Sequence, residues 1–261
     1  MANLIILVLL AIAPAAFLLK YILVRDRYKR EPLRLVAITF LLGALAIIPA
    51  TLLELFFQPP NPLLNAFIPT AIVEEFMKFA AVRAKAYDSP SFNEPMDGII
   101  YGVTASLGFA TVENIFYVMG FGAISTAIAR AFLSVPSHAA FGGIMGYYLG
   151  LAKPFGAEHN KKKEKQLMIT GLAIAIILHG IFDSIAFTTT GIIGLIGLLT
   201  VALISWLILT HLIKKAISTS PTRREAQFFS TQDSAQFCTA CGTRREVGAK
   251  FCVNCGQPFH A

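Results

Sequence analysis

Three ionisable side chains lie within two helical turns of an otherwise apolar stretch, FIPTAIVEEFMKFAAV. On a helix, Lys78 follows Glu74 by four residues and Glu75 by three, so its ammonium group projects between the two carboxylates. An ion pair with one carboxylate leaves the other charge unbalanced, as suits a general base or a metal ligand. The alternative is a structural ion pair that holds helices together.

Two later apolar segments also carry clustered polar side chains. In GFATVENIFY, Glu113 and Asn114 are adjacent, and Tyr117 follows Glu113 by one helical turn. In ILHGIFDSIAF, His179 and Asp183 form an i, i+4 pair on one helix face. A carboxylate beside a histidine fixes its tautomer and raises its basicity, or Asp183 binds a metal directly. Structural hydrogen bonding is the alternative for both clusters.

His138 occurs in the segment SVPSHAAFGGIMGYYLG. It shares a broad helix face with Gly142, Gly146 and Gly150, which permit close helix approach. His138 is therefore predicted to face protein rather than lipid, as a ligand or as a packed hydrogen-bonding group. Pro136 removes a backbone donor nearby and favours a hydrated pocket.

These polar groups are predicted to meet at one depth. Glu74, Glu113, His138 and His179 all fall near the middle of their apolar segments, within several ångströms at about 1.5 Å rise per residue. Two imidazoles and several carboxylates suit zinc or another divalent metal. With one coordination position open, such a metal activates water, and a spare glutamate transfers the proton. The pattern therefore predicts hydrolytic chemistry.

The elements that position these residues are predicted to be membrane-spanning helices. Of the 261 residues, 56% are hydrophobic and 14% charged, whereas soluble domains carry about a quarter charged residues. Apolar stretches of about 20 residues recur, long enough to span a bilayer as helices. We expect an all-α polytopic bundle with about seven spans, at 2–24, 33–57, 62–82, 97–120, 123–152, 167–188 and 190–213. The fifth span is long and is expected to tilt or break near Pro136.

Lys and Arg are concentrated in alternate connections between the predicted spans. The opposite connections, QPPNP, GFGA and TTTG, contain neither residue. This asymmetry predicts a multi-pass protein of the cell membrane with its N-terminus outside and its C-terminus in the cytoplasm. No basic residue precedes the first apolar run, so we expect a retained anchor rather than a cleaved signal peptide. The basic residues that set this prediction are Arg25, Arg27, Lys29, Arg30, Arg83, Lys85, Lys153, Lys161, Lys162, Lys163, Lys165, Lys214, Lys215, Arg223 and Arg224.

The four cysteines lie in two C-x-x-C-G motifs near the C-terminus, at Cys238, Cys241, Cys252 and Cys255. Four thiolates at this spacing predict a structural zinc site, and a cytoplasmic location disfavours the alternative of two disulfides. We expect a membrane domain at 1–217, a flexible linker at 218–236 and a zinc ribbon at 237–261. Such a ribbon binds protein or nucleic acid, and the sequence does not choose between them.

Four segments, EEFMK, GFATVENIFY, SHAAFGGIMGYYLG and HGIFDS, resemble in order and spacing the motifs of PrsW-type intramembrane proteases. That family is related to the type II CAAX prenyl endopeptidases and to bacteriocin-processing membrane enzymes. The resemblance covers roughly residues 60–190 and does not include the ribbon. It implies proteolysis of membrane-associated protein substrates within the bilayer.

The resemblance also implies residue roles. The catalytic double glutamate of the family matches Glu74 and Glu75, with Lys78 as the basic residue of that motif. The acidic residue of the second motif matches Glu113, beside Asn114. The later motifs match His138, His179 and Asp183, the last where relatives carry Asn or Asp. The CAAX relatives have a His in place of Glu113, so their residue roles do not transfer simply.

Two mechanisms are compatible with this set. In one, a metal lies among Glu75, Glu113, His138 and His179. In the other, a glutamate and a histidine activate water without metal, while His179 and Asp183 polarise the substrate carbonyl. Two other functions use similar residues: an ion-coupled transporter with intramembrane acids, and a non-catalytic scaffold that signals through the ribbon.

Overall fold

The computed structural model describes residues 4–26, 30–121, 124–220, 238, 240–241, 243 and 251–258. The chain divides into two compact units, Met1–Ile217 and Ser218–Ala261. The first unit is an all-α helix bundle, and the second holds the four cysteines. The predicted fold class is therefore confirmed. Arg27, Lys29, Arg223 and Arg224, which contributed to the predicted orientation, lie outside the described residues.

Nine α-helices and one π-helical segment form in the part of the chain that the structure describes. They are α1 (Leu4–Arg25), α2 (Leu33–Phe56), α3 (Pro62–Asn65), the π-helical segment (Ala66–Ile72), α4 (Val73–Lys85), α5 (Pro95–Phe121), α6 (Ile124–Phe132), α7 (Ser134–Ala157), α8 (Lys161–Thr188) and α9 (Gly191–Thr219). By length and composition, α1, α2, α5, α8 and α9 are able to span a membrane. The two other predicted spans, 62–82 and 123–152, are not single continuous α-helices.

The predicted span 62–82 consists of α3, the π-helical segment and α4. Asn61 caps α3 by accepting hydrogen bonds from the backbone N–H groups of Leu63 and Leu64. Pro69 lies inside the π-helical segment. Because a proline ring clashes with the carbonyl four residues earlier in an α-helix, a wider turn accommodates it. The regular α-helix resumes directly before Glu74.

The predicted span 123–152 is divided into α6 and α7, which meet at Leu133. Pro136 is the third residue of α7. A proline is tolerated in the first turn of a helix, where N–H groups have no intrahelical acceptor, but it disfavours continuation from a preceding helix. The break predicted near Pro136 therefore falls just before it and opens a new helix that carries His138.

Helices α5 and α7 cross at backbone contact through glycines. A Cβ atom added to Gly146 would lie 2.0 Å from the carbonyl oxygen of Gly98, and one added to Gly102 would lie 2.2 Å from that of Gly142. At such distances no side chain fits without movement of the backbone. The predicted glycine face of α7 is therefore its contact with α5, and it holds His138 inside the protein.

Two further close approaches complete the wall around the interior. A Cβ atom added to Gly43 of α2 would lie 2.0 Å from the carbonyl oxygen of Ala105 in α5. Gly180 of α8 packs against the Phe67 ring of the π-helical segment. These contacts join α2, α5, α7, α8 and the π-helical segment around one polar interior.

The described part of the second unit contains the two cysteine turns. The backbone N–H of Cys238 donates to the carbonyl of Thr243, and that of Cys252 donates to the carbonyl of Gln257, each at 2.8 Å. Gly256 has φ +74°, a left-handed conformation that glycine adopts without strain. Most of the predicted linker, from residue 221 to residue 236, lies outside the described residues.

Candidate active site

Lys78 is a fully buried cation with three polar partners. Its Nζ atom lies 3.0 Å from Glu74 Oε2, 2.8 Å from Glu75 Oε1 and 3.0 Å from His138 Nδ1. The helical spacing on α4 therefore places the ammonium group between the two carboxylates, as predicted. The third contact joins α4 to α7, which the sequence did not indicate.

His138 uses both ring nitrogens. An ammonium group is only a donor, so Nδ1 accepts the hydrogen bond from Lys78. Its Nε2 lies 3.0 Å from Glu113 Oε2, within ion-pair distance of that carboxylate. The neighbours thus assign the Nε2–H tautomer to His138, and this ring links α4 to α5.

His179 faces three carboxylates. Its Nδ1 is 2.9 Å from Glu75 Oε1, and its Nε2 is 3.2 Å from Asp183 Oδ2 and 3.9 Å from Glu74 Oε2. If Nδ1–H donates to Glu75, the Nε2 lone pair of a neutral ring faces two acceptor groups. A cation between these atoms, either a proton or a metal ion, resolves that repulsion.

Arg130 anchors the acidic residue of α5. Its Nη2 is 2.8 Å from Glu113 Oε2, and its Nε donates to Asn114 Oδ1 at 2.6 Å. The guanidinium also stacks on the Tyr117 ring, 3.9 Å from its centroid. Arg130 therefore joins α6 to two polar residues of α5, Glu113 and Asn114.

Two aromatic rings that sequence reasoning missed pack against the polar groups. Lys78 Nζ lies 4.4 Å from the centroid of Phe109, and Phe141 stacks on His179 with centroids 5.5 Å apart. Phe109 precedes Glu113 by one turn, and Phe141 follows His138 by three residues, so helical spacing placed both on the relevant faces. In a chain with 21 phenylalanines, that signal does not stand out.

A cavity of about 560 Å³ opens beside this network. The described wall includes Glu74, but neither Glu75 nor Lys78, which lie behind it. Its polar lining consists of Thr51, Glu54, Gln58, Asn65, Thr70, Glu74, Glu113, Tyr117, Arg130, Ser134, His138, His179 and Asp183. The cavity therefore gives a substrate and water access to one member of the glutamate pair and to both histidines.

The structure thus brings together every residue predicted for the membrane site. They are Glu74, Glu75, Lys78, Glu113, Asn114, His138, His179 and Asp183. The metal-binding combination differs from the predicted one. Donor atoms of Glu74, His138 and His179 lie within 4.8 Å of one another. Glu75 and Glu113 are instead held by Lys78 and Arg130.

The four cysteines form a second candidate metal centre. The sulfur atoms of Cys238 and Cys255 are 3.5 Å apart, as are those of Cys241 and Cys252. Tetrahedral zinc–thiolate bonds of about 2.3 Å place sulfur atoms about 3.8 Å apart. The residues therefore fit a four-thiolate metal site.

Acids and imidazoles from separate helices, gathered at a cavity of a membrane bundle, suit a membrane-embedded hydrolase. Residues 31–210 match the family described as PrsW family intramembrane metalloprotease. The chain belongs to that family, and it is a protease. Family membership therefore selects the protease over the transporter and the scaffold.

Curated relatives align with this chain over most of their own length. The chain is 42% identical to Protease PrsW of Halalkalibacterium halodurans over 179 residues, 67% of this chain and 80% of the relative. It is 40% identical to Protease PrsW of Geobacillus kaustophilus over 176 residues, 66% and 76% of the two chains. For Protease PrsW of Shouchella clausii, identity is 36% over 214 residues, 80% and 96% of the two chains. No solved structure matches the chain.

Proposed function

We propose that this protein is an intramembrane endopeptidase that cleaves membrane-associated protein substrates with water activated at Glu74. The observation that carries the proposal is the convergence of Glu74, His138, His179 and Asp183 on one cavity wall. Glu75 and Lys78 act from behind this wall. They fix His179 and Glu74 through contacts of 2.9 Å and 3.0 Å.

The proton transfers follow from these positions. Glu74 takes a proton from the attacking water and returns it to the leaving amine, so one carboxylate serves both halves of the reaction. Glu75 holds the His179 ring through Nδ1, so Nε2 stays directed at Asp183 and Glu74. His138 is a positioning residue, because both its nitrogens are engaged by Lys78 and Glu113.

We propose further that a divalent metal binds at His179 Nε2 with Asp183 Oδ2 and Glu74 Oε2, which leaves Glu74 Oε1 to accept the proton. The fit rests on the lone pair of Nε2, which faces two acceptors in this structure. His138 offers a further donor within 4.8 Å of those of Glu74 and His179, and it joins only by exchanging a present contact. A metal at this position supplies Lewis acidity, which polarises a carbonyl and acidifies water.

Substitution of Glu74 by Gln tests the assigned base. The amide keeps the shape and loses the proton acceptor, so we expect cleavage to fall at least about a hundredfold. Wild type and E74Q are compared in proteoliposomes, with thermal unfolding as the folding check. Glu158→Gln, which neutralises an exposed carboxylate, is the matched control. Normal cleavage by E74Q rejects Glu74 as the base.

Metal analysis separates the two mechanisms. A chain truncated after Ile217 lacks all four cysteines, so any remaining stoichiometric metal belongs to the membrane site. We expect about one divalent ion per truncated chain, and its loss in the His179→Ala variant. A truncated chain that cleaves peptides without bound metal favours the metal-free mechanism, in which His179 and Asp183 polarise the carbonyl.

We also propose an orientation with the N-terminus outside and the ribbon in the cytoplasm. The distribution of Lys and Arg among alternate connections supports it. Single cysteines placed at position 60 and at position 160, in a variant without native cysteines, test it with a membrane-impermeant maleimide on intact cells. We expect labelling at position 60 only. The reverse pattern contradicts the proposed orientation.

A further inference from the structure

Glu54 is an acidic residue of the cavity that the proposed mechanism does not use. It lies in the last turn of α2, one turn after Thr51 on the same helix face. Both side chains line the cavity, together with Asn65 of α3 and Thr70 of the π-helical segment. Glu54 is only partly buried, so it is reachable from the cavity space.

The other acids that line the cavity have basic partners. Glu74 contacts Lys78, Glu113 contacts Arg130, and Asp183 contacts His179. For Glu54, no ion pair or side-chain hydrogen bond forms with any residue in the described ranges. Its Oε1 atom is buried and has no hydrogen-bond partner there.

A carboxylate at the wall of a membrane cavity is unfavourable unless a cation or water compensates it. Among the described lining residues, Arg130 is the one whose side chain is always positively charged. Its guanidinium group already contacts Glu113 and Asn114. Thr51, Asn65 and Thr70 are uncharged. A metal ion is a poor partner for Glu54, because one carboxylate supplies too few ligands. The described residues supply no direct partner to Glu54, which leaves this position to water, a proton or a cationic group of the substrate.

We infer that Glu54 forms a cation-binding subsite that selects substrates with a Lys or Arg side chain near the scissile bond. This inference rests on the proposed endopeptidase function. A basic side chain that enters the cavity gains an ion pair with Glu54, whereas an apolar side chain of the same length leaves the carboxylate uncompensated. The enzyme discriminates between the two substrates because Glu54 stays unpaired in the complex with the apolar one.

The test uses single-span synthetic peptides that carry Lys, norleucine or Glu at each position in turn. Binding is measured by fluorescence anisotropy to the full-length chain in nanodiscs, in the E74Q background so that cleavage does not intervene. At one position we expect the Lys peptide to bind about tenfold more tightly than its norleucine twin. Glu54→Gln should abolish this ratio, and Glu54→Lys should transfer the preference to the Glu peptide. Glu158→Gln, as the control, should leave the ratio unchanged.

Two results overturn the subsite. One is a Lys-to-norleucine ratio that E54Q leaves unaltered, and the other is no Lys preference at any position. A parallel cleavage assay with the chain that retains Glu74 reports on the proposed function separately. Binding that prefers Lys through Glu54, without hydrolysis of any peptide, rejects the endopeptidase and keeps the subsite.

Discussion

Lys78 is the residue on which the polar interior depends. It is fully buried and contacts Glu74, Glu75 and His138, so it compensates charges contributed by its own helix and orients a ring of α7. Removing one partner from a buried ionic cluster leaves uncompensated charge, which costs more than the original cluster contributed. The ammonium group is therefore a structural requirement as well as an electrostatic one.

Lys78→Met is expected to destabilise the membrane unit by about 3–5 kcal/mol. The thioether chain preserves most of the volume, so the loss reports on charge rather than on packing. Denaturant unfolding in detergent measures it. The triple variant K78M/E74Q/E75Q removes the charges together and should recover much of the stability. Equal stability of K78M and wild type contradicts this account.

Arg130 makes two directional contacts that lysine does not reproduce. Its Nη2 meets Glu113, and its Nε meets Asn114. Because Glu113 Oε2 in turn lies 3.0 Å from His138 Nε2, Arg130→Lys should displace that chain of contacts and lower kcat by about tenfold. KM should change less, since Arg130 acts through Glu113 and the positioning residue His138 rather than on the substrate. A change confined to KM assigns Arg130 to substrate binding instead.

At this scale the sequence predicted much of the site. Fixed helical spacing on α4 and on α8 dictates the contacts of Lys78 with the glutamates and of His179 with Asp183. The contacts of Lys78 with His138 and of His179 with Glu75 join separate helices. These depend on the rotation of each helix about its axis, which packing determines and local spacing does not.

At the scale of elements, the glycine crossing of α5 and α7 determines where His138 and Glu113 meet. A Cβ atom added to Gly98, Gly142 or Gly146 would lie only 2.1, 2.6 or 2.0 Å, respectively, from a carbonyl oxygen of the facing helix. The sequence predicted the glycine face, since its four-residue spacing is visible. It did not predict the π-helical segment, because hydropathy reports burial and not the hydrogen-bond register.

Gly146→Ala is expected to destabilise the bundle by about 1–3 kcal/mol, because the new methyl group overlaps the backbone of Gly98. Cleavage should fall as well, since any separation of the helices moves His138 away from Glu113. Gly120→Ala is a matched control on α5, where an added Cβ meets nothing within 4 Å. Unfolding midpoints of both variants, measured in the same detergent, give the comparison. Similar midpoints for the two variants would remove the crossing as a determinant of the site.

At the scale of the whole molecule, the chain carries two metal-binding candidates with different chemistry. The membrane site offers oxygen and nitrogen donors beside a cavity, whereas the second unit offers four thiolates, the ligand set of a closed structural zinc site. All the cavity-lining and network residues lie within Met1–Ile217. We therefore propose that Ser218–Ala261 binds a protein or nucleic-acid partner with its zinc-held ribbon and takes no part in the hydrolysis.

Replacement of the four cysteines by serine tests this division. A unit so small has almost no apolar core, so its folding depends on the metal. We expect the variant to lose about one zinc per chain, measured by elemental analysis, and the second unit to become protease-sensitive. Peptide cleavage by the membrane unit should persist within about twofold of wild type, because no thiol belongs to the network around Lys78. Loss of cleavage together with the zinc would show that the ribbon controls the active site, and the proposed separation of roles would then be wrong.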